Sequence, residues 1–188
     1  GNFRKIKSPS DALKAGIGLI PENRKEEGCF LELGVDWNIV FNSVKSISKG
    51  LVVNRKREND ISKHFEKQLC IKTPFLGQRV KNLSGGNQQK VIIAKTLAAD
   101  TQILIFDEPT RGIDVGAKQE IYQLMTQLLN EGHSIIMISS DMEELLGMSD
   151  RIIVLSEGKV TGELKKDQFT QQRVLELAST HISNQEIP

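Results

Sequence analysis

The sequence is poor in cysteine, in aromatic residues other than phenylalanine and in long apolar runs. Among its 188 residues are 2 Cys, 1 Trp and 1 Tyr. Cys29 and Cys70 lie far apart with no CxxC or Cys/His spacing, which argues against a zinc site or a disulfide framework and suits a reducing compartment. The longest uninterrupted apolar runs are four residues, as in Ile103-Leu104-Ile105-Phe106, far short of the ~20 that a membrane-spanning helix needs. No N-terminal signal peptide is visible either. Charge of one sign is also missing: 25 Lys+Arg face 24 Asp+Glu, for a net charge of +1. That balance gives no electrostatic footprint for nucleic acid. The one basic stretch, Asn54-Arg55-Lys56-Arg57, runs straight into Glu58 and Asp60 and reads as a solvated loop. No internal repeat or low-complexity segment is present.

What the chain does have is a globular composition, 38% hydrophobic with 15 Gly, and enough length for one domain with a buried core. Its second half alternates strand-length apolar runs with amphipathic stretches, the βαβ pattern of a parallel sheet. Ile103 to Phe106, Ile135 to Ile138 and Ile152 to Leu155 are β-branched-rich and unbroken, as expected of strands covered on both faces. Between the first two, Ala117, Ile121, Leu124, Met125, Leu128 and Leu129 recur at helical spacing and Gly132 follows as a stop. Val91, Ile92, Leu97 and Ala98 mark a helix before the first run, and Asp167 to Ala178 reads as a C-terminal helix fading into a polar tail. In the first half, Ser8-Pro9-Ser10-Asp11 predicts an N-capped helix ended by Gly16, then a short strand Ile17 to Ile20. From about Glu22 to Asn82 the pattern is helical and charged, with Asp36 to Val44 and Asp60 to Leu69 as candidate helices of an inserted lobe.

Two segments carry chemistry. The strand Ile103 to Phe106 delivers Asp107 and Glu108 at its carboxyl end, where open α/β sheets place their ligands. Asp107 suits a hydrated Mg²⁺ and Glu108 an attacking water; taken alone, the run also reads as a strand followed by an acidic turn at Pro109. Leu83-Ser84-Gly85-Gly86-Asn87-Gln88-Gln89-Lys90 places a hydroxyl and glycine amides at the start of the Val91 helix, an anion site in the making, or simply an N-cap with a flexible approach. It lies about 20 residues before the acidic strand.

Together, LSGGNQQK and ILIFDEPTRGID resemble the signature motif, Walker B strand and D-loop of an ATP-binding-cassette (ABC) ATPase. With DEPTRGIDVGAKQEIY, the Ser139 to Glu144 run and Gly147 to Ile152, the chain is similar to the C-terminal cassette of the tandem ATPases of bacterial ribose, galactose and arabinose importers. The similarity runs from about Gly1 to Ala178. It implies a partial RecA-like α/β lobe with a parallel sheet and an inserted helical subdomain: about 22–100 helical and signature-bearing, 1–21 and 101–166 catalytic, 167–188 a C-terminal helix and tail. It implies ATP and Mg²⁺ as ligands, Asp107 on the metal and Glu108 as the catalytic carboxylate. Ser84, Gly85, Gly86 and Asn87 would meet the γ-phosphate held by an opposite cassette, and Asp114 would bridge the two cassettes. Glu22 stands at the Q-loop position and Asn87 in place of the usual signature glutamine.

Two departures stand out. The switch histidine of the family falls at Ser140, which locally reads as a helix N-cap with Glu143 completing a capping box. His64 and His181 lie outside the motifs and His133 precedes its strand; all three read as surface residues. No GxxxxGK[ST] occurs anywhere, so the loop and lysine that cradle phosphates are missing, and the chain reads as a fragment whose Ile135 and Ile152 strands are left apart. The partners implied are a second cassette, N-terminal in the same chain or separate, membrane permease subunits and, indirectly, a periplasmic or extracellular sugar-binding protein, at the cytoplasmic face of the membrane and with no nucleic acid. A non-transport ABC ATPase or a silent regulatory cassette are the alternatives.

Overall fold

The computed structural model describes residues 5–50 and 52–179. They form, in chain order, α1 (Pro9–Lys14), β1 (Ile17–Ile20), α2 (Val35–Val40), β2 (Ser48–Lys49), β3 (Val52–Val53), α3 (Arg55–Gln68), α4 (Gly85–Leu97), β4 (Ile103–Asp107), α5 (Val115–Asn130), β5 (Ser134–Ile138), α6 (Met142–Met148), β6 (Arg151–Ser156), β7 (Lys159–Lys165) and α7 (Gln171–Ala178). A π-type turn spans Arg24–Gly28 and single 3₁₀ turns follow α2, precede α4 and precede α7. The chain divides into two compact units between Ile138 and Ser139. No described helix is long and apolar enough to cross a membrane.

The first unit is built on a parallel sheet in the order β1-β4-β5. The Ser8 hydroxyl accepts the Asp11 amide at 3.2 Å and Pro9 occupies the first turn of α1, where its missing N–H costs nothing. After α1 the Gly16 carbonyl receives the amides of Gln102 and Ile103 at 2.7 and 2.9 Å. That sets Ile17 opposite Ile103 and Ile20 opposite Phe106, and β5 follows with Ile103 opposite Ser134 and Asp107 opposite Ile138. Ile20, Leu104 and Phe106 are fully buried, together with Val91, Ile92, Ile93 and Ala94 of α4 and Ile121 and Leu128 of α5. Burying side chains of this kind contributes about 1.5–3 kcal/mol each.

Gly18 is what lets α4 come so close. A Cβ there would stand 2.2 Å from Thr96 Cγ2 and 3.1 Å from Thr101 Cγ2. Lys90, 5% exposed, ties α4 to α5 by donating to Glu120 at 2.7 Å and to the Cys70 carbonyl at 3.3 Å. The Lys90 hydrogen bond holds the Glu120 carboxyl below the usual carboxylate range.

Several expectations need correction. The apolar strands of this sheet are not covered on both faces: Leu19, Ile136 and Ile138 remain 50–55% exposed, because α4 and α5 cover only the face that carries Ile20, Leu104 and Phe106. The basic stretch is no loop; Asn54 caps α3 by accepting the Arg57 amide at 3.1 Å, and Arg55 to Arg57 are its exposed first turn. The helix expected to Val44 ends at Val40 and tightens into a 3₁₀ turn over Phe41–Ser43. His64 is exposed, whereas His133 is half-buried with Nδ1 enclosed; His181 and the polar tail lie outside the described residues.

In the second unit, Ile152 to Leu155 belongs to an antiparallel hairpin of β6 with β7, not to a parallel sheet. Glu157 and Gly158, at φ 50° and 77°, make the two-residue turn that suits the twist of such a hairpin. Ile152, Val154, Leu164 and Val174 form its core, packed by Met142, Leu145, Leu146, Phe169 and Leu177. The C-terminal helix begins at Gln171, capped by Thr170.

The close approach at Gly18 predicts that Gly18→Ala destabilises the chain by about 1–3 kcal/mol in urea unfolding. Adding Thr96→Ala should recover part of the loss, so that the two changes couple in a double-mutant cycle.

Candidate functional site

β4 alternates its side chains so that Leu104 and Phe106 point into the core and Asp107 leaves the sheet half-buried at its carboxyl end. Glu108 follows with φ 47°, a left-handed conformation that costs a non-glycine residue energy and is kept where surrounding contacts enforce it. Contacts on both sides of it hold the chain. The Glu108 amide donates to the Ile138 carbonyl at 2.8 Å and the Arg111 amide returns to the Glu108 carbonyl at 3.1 Å. Pro109, Thr110 and Ile113 are buried beneath the turn. The turn ends at Asp114, whose Oδ1 accepts the Ala117 amide at 2.9 Å as the N-cap of α5.

The second part of the site is the start of α4. Ser84 is its N-cap; its Oγ accepts the Asn87 side-chain amide at 2.9 Å and the Asn87 backbone amide at 3.4 Å. Asn87 Oδ1 in turn accepts the Lys72 amide at 2.8 Å. Both contacts of Ser84 use lone pairs, so its O–H can still donate. Gly86 is buried, and a Cβ there would come within 2.8 Å of the Ala117 Cβ, so α4 and α5 meet at glycine. Gly85 is more open; a Cβ there would lie 3.5 Å from the Gly112 carbonyl oxygen and 3.6 Å from Arg24 Nη2.

The third part comes from the segment after β1. The Glu22 carboxylate forms an ion pair with Arg111. The Arg24 guanidinium donates to the carbonyls of Arg111 at 2.6 Å and of Gly112 at 3.2 Å, and partial burial pulls its pKa down from the ordinary value. Glu22, Gly85 and the turn from Glu108 to Asp114 are therefore neighbours. Sequence reasoning missed Arg24 and Arg111 as parts of this junction, since the two stand 87 residues apart and nothing local marks the contact.

Ser140 lies in the second unit, and its expected role as a cap is not what the structure shows. Asp141 is the N-cap of α6, its Oδ1 accepting the Glu143 and Glu144 amides at 3.1 and 3.2 Å. Ser139 Oγ accepts the Asp141 amide at 3.0 Å and donates to the Glu144 carboxylate. The longer aspartate side chain one residue later reaches both amides, so Ser140 is left one position outside the helix.

No group of three or more His, Cys, Asp or Glu that could hold a metal ion assembles among the described residues. The donors fit a more modest demand. Mg²⁺ keeps most of its water and is held by one or two carboxylates together with substrate phosphates, and Asp107 at the end of β4 is a carboxylate of that kind.

The sequence profile of the ABC transporter family matches residues 5–111. The chain belongs to this family. It is 51% identical over 174 residues to the ribose import ATP-binding protein RbsA of Oceanobacillus iheyensis, an alignment that takes in 93% of this chain and 35% of that protein. Against RbsA of Bacillus subtilis the identity is 47% over 179 residues, 95% of this chain and 36% of that one. The chain thus spans about a third of the length of the curated relatives it matches. Its fold is that of the ABC cassettes. A nucleotide-free ATP-binding cassette from an ABC transporter superposes with a TM-score of 0.75 at 17% identity, covering 93% of this chain and 73% of that chain. A dimeric post-hydrolysis cassette bound to ADP and Pi superposes with a TM-score of 0.70 at 22% identity, covering 88% and 70%.

Beside Arg24 in this family member sits Cys29, whose thiol burial pushes up from 9.0 to about 11, with Lys95 and Arg24 pulling the other way. In the unfolded chain the thiol ionises near its ordinary value, whereas in the folded chain it resists until higher pH. Its contribution to stability is therefore intact below about 9 and is lost as pH rises toward about 11. Unfolding midpoints of the native chain should fall more steeply over that window than those of Cys29→Ala.

Proposed function

We propose that this chain is the signature-bearing and hydrolytic portion of the ATPase subunit of a monosaccharide importer. The observation that carries the reading is Glu108, held at the carboxyl end of β4 in a left-handed conformation next to Asp107. The sugar is argued from the relatives, which are named as ribose import ATP-binding proteins. In this reading Glu108 accepts a proton from the water that attacks the γ-phosphorus, as the bond to the ADP oxygen breaks and inorganic phosphate forms. Asp107 holds the hydrated Mg²⁺, which when bound offsets charge on the phosphate oxygens.

Ser84, Gly85, Gly86 and Asn87 act on a different nucleotide, one held by a second cassette. The Ser84 hydroxyl and the first amides of α4 donate to its γ-phosphate, favoured by the positive end of the helix. Asp114 lies at the seam between the cassettes. Glu22 is engaged with Arg111, so it reaches toward metal or water only when that pair opens. The region of about 22–100 serves as the helical subdomain and receives permease subunits, with 1–21 and 101–166 forming the catalytic lobe. Permease, sugar-binding protein and membrane association belong to the complete protein. Ser140 lacks the imidazole of a switch histidine and cannot shuttle a proton in the same way.

Two substitutions in the full-length protein test this. Gly85→Asp introduces a side chain whose Cβ fits, at 3.5 Å from its nearest neighbour, but whose charge opposes the incoming phosphate. At ~4 Å like charges in a partly buried site repel by several kcal/mol. ATP turnover and sugar uptake should drop by about tenfold or more, whereas Glu108→Gln should slow single-turnover hydrolysis at its own site with ATP binding retained. Near-normal turnover and uptake in Gly85→Asp would refute the proposal.

A further inference from the structure

Glu108 is the strained residue of the site, and a strained residue keeps its conformation only while the chain on both sides is held. Before it, β4 is fixed between two strands. After it, the Arg111 amide bonds the Glu108 carbonyl at 3.1 Å and the Ile113 amide the Thr110 carbonyl at 3.2 Å within the turn to Asp114. A further restraint reaches in from the segment after β1. Arg24 forks onto two successive carbonyls, those of Arg111 and Gly112, while Glu22 pairs with the Arg111 side chain. Residue 111 is thus held by its main chain and its side chain at once. The same guanidinium lies beside the first turn of α4, 3.6 Å from where a Gly85 Cβ would stand.

We propose that Arg24 is a positioning residue for ATP hydrolysis, a clamp that fixes the turn between Glu108 and Asp114 against the start of α4 and ties both to the entrance of the helical region. It touches no reacting atom. It acts by holding the Glu108 carboxylate in line on one side and the Ser84 to Gly86 amides in register on the other. The planar fork is what the task requires, because two carbonyls are bridged by one rigid group; a lysine ammonium on its flexible stem reaches one at a time.

The proposal rests on the ATPase reading, and its test separates the two. In the full-length protein, Arg24→Met should lower kcat for ATP by about tenfold to a hundredfold, the scale of a misplaced reacting group. KM for ATP should stay within roughly threefold. Arg24→Lys should recover part of kcat. A kcat for Arg24→Met within roughly twofold of wild type overturns the proposal. So does a loss of kcat that is matched by equal losses of ATP affinity and thermal stability, since that assigns Arg24 to the fold alone. A wild-type protein with no ATP turnover refutes the ATPase reading instead, and hydrogen exchange then decides the clamp. Faster exchange of the Arg111, Ile113 and Ala117 amides in Arg24→Met supports it, and unchanged exchange overturns it.

Discussion

The Gly16 carbonyl accepts two amides, those of Gln102 and Ile103, and from that fastening the register of the first unit follows. A parallel strand displaced by one residue turns every side chain to the wrong face. With β4 fixed beside β1, Leu104 and Phe106 face α4, and Asp107 ends opposite Ile138. The next amide along, that of Glu108, then finds the Ile138 carbonyl. The Ser134 amide bonding the Gln102 carbonyl at 2.9 Å fastens β5 at the same level. Strand register thereby reaches from a helix stop at Gly16 to the carboxylate at the far end of the sheet.

Helix contacts transmit this order sideways. Gly18 admits α4 to the sheet and Gly86 admits it to α5, while Lys90 and Glu120 lock the two helices. Ser84 and Asp114, which cap these helices, consequently sit at fixed places relative to the end of β4. Gly86, which looks like flexible approach in a loop, is here a point of close packing between α4 and α5.

Much of this was legible because it is local. The Ser8 and Ser84 caps, the apolar period of α5, the short strand β1 and the β-branched runs of β4 and β5 are each specified within a few residues. The misreadings have physical causes. β7 was missed because Glu157-Gly158 is a weaker hairpin signal than Asn-Gly and its alternation is diluted by lysines. The start of α3 was hidden by its charges, which outweighed the Asn54 cap. Ser140 competed with Asp141 for one helix end, and only the reach of each side chain decides between them. The bare face of the sheet and the Arg24 junction depend on which elements meet in space, and strand composition alone carries no trace of that. The places of Asp107 at the end of β4 and of Ser84 at the start of α4 were thus readable by type and spacing, while the arrangement that joins Glu22, Arg24 and Gly85 to the Glu108 turn was not.

The backbone of Glu108 also sets stability against activity. Glycine adopts a φ of 47° without steric cost, so its substitution there would relieve about 1 kcal/mol of strain while deleting the carboxylate. Any cassette that keeps glutamate in this conformation therefore holds its carboxylate at a cost in stability that glycine would not carry.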